Sequence, residues 1–258
     1  MNRGKYLGDD RLLYKIEKRK DRYSECIYCS EVANTREHVP SKVFLNKPFP
    51  DNLPTLPACN ECNNSYSNKE LLVSLLIQVM KKKVLHQYEF PEIVNDRMER
   101  NEALLMKVKD TIVTGDISKL DSDIRNVLIK LARGHAVWDV SKGYTGREAG
   151  KEPIVTVEYS FLHQMTQDAI DDFLAVYVVS KLPLPEIGSR LFDSRLVVYQ
   201  DFDKNINEVI VLWEEIQEGE YEYICYQFGE TIEVKIVINN FLFAKIHFKE
   251  NDYPRNVY

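Results

Sequence analysis

Two cysteine pairs, Cys26-x-x-Cys29 and Cys59-x-x-Cys62, constrain this chain more than any other feature of its sequence. Each pair sets two thiolates on a tight knuckle, and the four together match the tetrahedral sulfur set of a structural zinc. The 29 residues between the pairs exceed the usual zinc-ribbon spacing, so the enclosed segment must hold more than a linker. Prolines at positions 40, 48, 50, 54 and 57 argue against a long helix or regular strand there. With few apolar residues to pack, that stretch would draw much of its folding free energy from the metal. The fifth cysteine, Cys225, alternates with Tyr223 and Gln227 in a predicted strand and reads as a small buried hydrophobe.

The opening residues alternate charged and apolar side chains and lack the continuous apolar run of a secretory signal. The longest apolar stretch, residues 71–80, is interrupted by Ser74 and Gln78 and falls short of the ~20 residues needed to cross a bilayer. The expectation is a cytoplasmic chain with no membrane partner, whose cysteines are reduced or bind metal. A net charge of -6 argues against nonspecific coating of nucleic acid. Local basic clusters nevertheless flank the cysteine segment, at Lys15, Lys18, Arg19, Lys20 and Arg22 and at Lys81, Lys82 and Lys83.

Periodicity predicts an amphipathic lead-in helix over residues 5–22, then a helix that begins between Asn63 and Ser67 and runs on through the apolar stretch. Further helices are predicted from Asp121 to about Trp138 and from Thr166 to Val176. The last sixty residues change character: alternating runs such as YEYICYQF, TIEVKIVI and FLFAKIHF, separated by short turns, read as an antiparallel meander. The fold class is therefore α+β: an N-terminal zinc-stapled module, then helices and a C-terminal antiparallel sheet. We divide the chain into residues 1–105 and residues 106–258.

Between the knuckles lies Arg36-Glu37-His38-Val39-Pro40, then Asp51-Asn52-Leu53, and the second knuckle runs directly into Asn63. Phosphodiester hydrolysis needs a base to deprotonate water and a cation to offset charge on the phosphate; a neutral imidazole and an oxygen-held divalent ion supply these. Adjacent strand residues point to opposite sides, so Glu37 and His38 can converge only where the strand ends or distorts, and Pro40 makes such an ending plausible.

The pattern EHVP, NLP, CNECN resembles zinc-containing HNH endonucleases over residues 26–70. The resemblance implies a ββα-metal module with His38 as general base, Glu37 and Asn63 as ligands of a catalytic Mg²⁺ or Mn²⁺, and Asn52 orienting His38. It implies nucleic-acid cleavage, DNA ahead of RNA, with Cys26, Cys29, Cys59 and Cys62 on the structural Zn²⁺. Two positions depart from the pattern, Glu37 where many members carry Asp and Tyr66 where Lys is common. Glu70 has two readings. It lies seven residues beyond Asn63, on one helix face, where it adds a carboxylate to the ion; or it closes a capping box begun by Ser67. The helix start decides between them. Residues 106–258 hold no second active-site motif and read as scaffold, with a homodimer contact or a regulatory protein partner as the other roles. An acidic HNH protein of this kind would fit a bacterial anti-phage defence effector. The contrasting class is a noncatalytic zinc-knuckle module that binds nucleic acid or protein.

Overall fold

The computed structural model describes residues 25–29, 31–51, 53–140, 154–175, 177–179, 196–201, 206–228 and 231–249. The lead-in helix expected over residues 5–22, with its basic cluster, lies outside them, as does Asn52.

The first element is a two-stranded antiparallel hairpin of β1 (Thr35–His38) and β2 (Thr55–Ala58), in which Glu37 lies opposite Leu56 and His38 opposite Thr55. The 25-residue helix α1 (Asn60–Val84) follows. It starts earlier than the sequence suggested. Cys59 is its N-cap and accepts the Cys62 N–H on Sγ at 3.3 Å, while Asn34 Oδ1 accepts from the Asn60 N–H at 2.8 Å. Two donors that a helix N-terminus leaves open are thus satisfied before the apolar run begins. Lys81, Lys82 and Lys83 fill the last turn, where cations oppose the negative end of the helix dipole. Their ammonium groups bond the Asn239, Tyr88 and Ile112 carbonyls respectively, so this basic cluster is spent within the fold.

Two helices that the sequence reading did not single out, α2 (Glu92–Arg100) and α3 (Glu102–Thr114), lead to α4 (Ser118–Val140), which spans the helix expected from Asp121 to Trp138. The last helix, α5 (Gln167–Leu174), is capped by Thr166 Oγ1 accepting the Ala169 N–H. Strands β3 (Ile154–Phe161), β7 (Glu214–Gln217), β8 (Tyr221–Phe228), β9 (Thr231–Ile238) and β10 (Leu242–Lys249) form a five-stranded antiparallel sheet of order β3-β10-β9-β8-β7. Strands β4 (Tyr177–Val179), β5 (Leu196–Asp201) and β6 (Ile206–Val211) form a second sheet, ordered β4-β6-β5. The run VIVLWEEI therefore belongs to two sheets, with the break after Val211. At the β9–β10 turn both Asn239 and Asn240 take left-handed φ, near 55° and 50°, which Asn tolerates better than most residues.

One face of β9 and β10 presents Ile232, Val234, Ile236, Ile246 and Phe248, all fully buried. Against it lies the apolar stripe of α4: Ile124, Val127, Leu128, Leu131 and Ala132. The same buried cluster continues through Leu72, Leu75, Leu76 and Met80 of α1 and Phe44 and Leu45 of the inter-knuckle segment. Burial of each Leu or Phe contributes roughly 1.5–3 kcal/mol. A second cluster joins Ile27, Tyr28, Val39, Leu56 and Ala58 to Val137 of α4. Helix α4 thus touches the cysteine module on one side and the sheet on the other. Gln217 adds a tie, accepting the Asn46 N–H on Oε1 and donating to the Asn46 carbonyl from Nε2, at 2.8 and 2.9 Å. No helix among the described residues is long and apolar enough to cross a membrane.

Candidate functional site

The four knuckle cysteines converge, with all their Sγ atoms within 4.8 Å of one another. Zn–S bonds of about 2.3 Å in a tetrahedron place neighbouring sulfurs about 3.8 Å apart, and Cys29 and Cys59 stand at 3.6 Å. Backbone N–H groups point at two of the sulfurs, Tyr28 N–H at Cys26 and Cys62 N–H at Cys59, and such donors favour thiolates. Geometry and donor chemistry both fit a zinc ion.

Glu37 and His38 close β1 and, as strand alternation requires, part company. Glu37 is buried. His38 is half-exposed and lines, with Tyr28, Ser41, Lys130 and Gly134, a shallow cleft too tight to enclose a water. Burial, and then the charge of Lys42, hold the His38 imidazole below its ordinary 6.5, with Glu37 pulling the other way. Its ring makes no hydrogen bond among the described residues, so a neutral imidazole faces the cleft.

Glu37 meets Glu70 below this cleft. Because α1 already includes Asn63, Glu70 sits two turns further along the same helix, and Ser67 cannot be its N-cap; the Ser67 hydroxyl instead bonds back to the Asn63 carbonyl. The capping-box reading is thereby removed. Lys130 Nζ, from α4, stands 2.6 Å from Glu70 Oε1, 3.2 Å from Glu37 Oε1 and 3.3 Å from Ser41 Oγ. It donates to Glu70 Oε1 and to Ser41 Oγ and forms an ion pair with Glu37 Oε1. The Ser41 hydroxyl lies 2.6 Å from Glu70 Oε1 and 3.0 Å from Glu37 Oε1. Burial pushes the Glu70 carboxyl up from 4.5, against the opposing pull of Lys130 and Ser41. Burial, followed by the charges of Glu37 and Glu70, raises the Tyr28 phenol well above its usual range.

One atom is left over. Glu37 Oε2 is buried and has no hydrogen-bond partner among the described residues. Asn63, half-exposed near the start of α1, makes no side-chain hydrogen bond among them either. An unpaired buried carboxylate oxygen and a free amide are the donors a hard cation takes. Glu70 Oε1 is engaged by Ser41 and Lys130. Ser41 and Lys130 were missed in the sequence. Lys130 had a signal, a single charge within the apolar run Val127-Leu128-Ile129-Lys130-Leu131-Ala132; Ser41, one serine after a proline, had none.

The other histidines lie elsewhere. His135 is buried, bonded to the Tyr221 hydroxyl at 2.8 Å and stacked on the Tyr223 ring, and His247 pairs with Glu233 on the sheet. Comparison of the chain with protein-family models, curated proteins and solved structures finds no match.

Proposed function

We propose that this chain is an HNH-type endonuclease that hydrolyses phosphodiester bonds, with DNA as the substrate, and that its hairpin and helix form a ββα-metal module braced by a structural zinc. The observation that carries this reading is the pairing of His38, an imidazole with lowered proton affinity open to a cleft, with the adjoining Glu37, whose buried Oε2 has no partner among the described residues.

In this reading an imidazole nitrogen of His38 takes a proton from water as the water oxygen attacks phosphorus and the P–O3′ bond breaks. The leaving 3′ oxygen takes a proton from solvent water, so the products are a 3′ hydroxyl and a 5′ phosphate. A divalent ion held by Glu37 Oε2 and Asn63 would supply positive charge to offset that on the phosphate and leaving oxygen. Glu37 must present an ionised oxygen for this, and Lys130 and Ser41 hold its other oxygen in place. Asn52 keeps its proposed part in orienting His38.

Supercoiled plasmid incubated with the zinc-loaded protein and Mg²⁺ or Mn²⁺ tests the proposal. Nicking that depends on the ion and falls roughly 10²-fold or more in His38→Ala is expected, the usual scale for a general base. Equal behaviour of the two proteins under every ion would sink it. The contrasting reading, a noncatalytic zinc-knuckle binding module, draws support from the engagement of both carboxylates by Lys130. Nucleic-acid binding that survives His38→Ala, with no turnover by either protein, would favour that reading.

A further inference from the structure

Lys130 is the buried Lys or Arg of the described residues, its side chain 1% exposed. Taking an ammonium out of water costs several kcal/mol, which only close ion pairing and hydrogen bonding can offset. Its neighbours in sequence are apolar, so an aliphatic side chain would suit the helix at this point. The environment it enters offers three oxygens, Glu70 Oε1, Glu37 Oε1 and Ser41 Oγ, all within 3.3 Å of Nζ, with the Tyr66 and Tyr28 rings farther out at 5.4 and 6.0 Å. Two carboxylates and a hydroxyl converging on one point are also what a hard divalent cation coordinates. The ammonium satisfies by two N–H bonds, to Glu70 and Ser41, and by an ion pair with Glu37 what an ion would satisfy by coordination. It also consumes Oε1 of Glu37 and leaves Oε2 as that carboxylate's unpaired oxygen.

Resting on the nuclease reading above, we infer that Lys130 is a positioning residue that permanently fills the inner cation position of the site, so that the site takes one added divalent ion, at Glu37 Oε2, instead of two. The charge arithmetic makes this testable. Counted formally, Glu37, Glu70 and Lys130 sum to minus one; Lys130→Met makes the sum minus two and vacates the point between the carboxylates. Lys130→Met combined with Glu70→Gln returns it to minus one.

The experiment uses the zinc-loaded full chain and Mn²⁺ as probe, read by calorimetric titration, by the Mn²⁺ paramagnetic resonance signal and by thermal melts with and without the ion. Lys130→Met should bind one more Mn²⁺ than wild type, or bind it at least roughly tenfold tighter, since the charge on the ligand set tunes such affinities over orders of magnitude. Its melting temperature should rise with Mn²⁺ by more than that of wild type, and the double variant should return to wild-type behaviour. Should Lys130→Met be unfolded without the ion, restoration of its fold by Mn²⁺ is the expected result. A Lys130→Met chain with wild-type Mn²⁺ stoichiometry, affinity and melt response, or one that Mn²⁺ fails to refold, overturns the inference. The nuclease reading fails separately. A wild-type chain that never cuts would defeat that reading and leave the Mn²⁺ comparison intact, whereas a chain that cuts while Lys130→Met binds Mn²⁺ as wild type does defeats only the role of Lys130.

Discussion

Gly134 of α4 faces Val39, the residue just past the end of β1. A Cβ built there would stand 3.2 and 3.3 Å from the two Val39 methyls, tighter than ordinary contact, and Val39 is buried between His38 and Pro40. Two effects oppose each other in Gly134→Ala. Replacing Gly by Ala inside a helix gains about 1 kcal/mol, while forcing a methyl into a filled contact costs about 1–3 kcal/mol. The net expectation is a loss of about 0–2 kcal/mol. Val39→Ala alone should cost roughly 1–3 kcal/mol, from two methyls and the space they leave. In the double variant the new Cβ enters the vacated space, the overlap vanishes, and the pair should be more stable than additivity predicts by roughly 1–3 kcal/mol. Urea unfolding of the four zinc-loaded proteins closes the cycle. Coupling below about 0.5 kcal/mol, the ordinary scatter for independent sites, would refute the claim that α4 seats on Val39. So would a Gly134→Ala protein that shows the full helix-propensity gain.

Other expectations follow from the same contacts. Chelation, or Cys62→Ser, should release about one zinc per chain and unfold residues 25–70 while the sheet signal in circular dichroism persists; a chain that keeps its fold and releases no zinc would refute the four-cysteine site. Because the folded His38 holds its proton less tightly than the ordinary 6.5, the unfolded chain protonates first as pH falls. Stability from this group is thus lost below 6.5, the His38→Gln protein should lack that slope, and, if the proposed nuclease activity holds, the acid limb of its pH profile should fall below 6.5. The Glu70 carboxyl is shifted the other way, above 4.5, so the native state binds its proton more tightly and this group's stabilising contribution declines as pH rises from 4.5 through its folded value; urea midpoints of wild type against Glu70→Gln over that range check the sign. Lys130→Ala leaves two buried carboxylates without their cation and should cost about 3–5 kcal/mol in the same unfolding assay.

What the sequence disclosed was chemistry written in short spacings. Two Cys-x-x-Cys pairs announced a sulfur cluster because each knuckle is local, and strands β8, β9 and β10 were legible because alternation such as that of Ile232, Val234 and Ile236 has a period of two. The start of α1 was misplaced because its cap is a cysteine, which propensity does not count among capping residues; its sulfur acts as acceptor at that position. The split of VIVLWEEI between two sheets was hidden because the run is continuous in apolar character. The relation of Glu37 to Glu70 could not be read from spacing at all. It depends on a lysine 60 residues beyond Glu70, brought in by the packing of α4 against α1.

That packing decides whether the cysteine module is portable. A fragment ending near residue 105 would retain all four cysteines, His38, Glu37 and Asn63, but would lose Lys130, Gly134 and Val137 together. Two carboxylates would remain with no counter-charge, and the buried side chains of α1 would open to solvent. Grafting the motif onto another scaffold would therefore mean supplying a surrogate for one helix, with its cation at the right height.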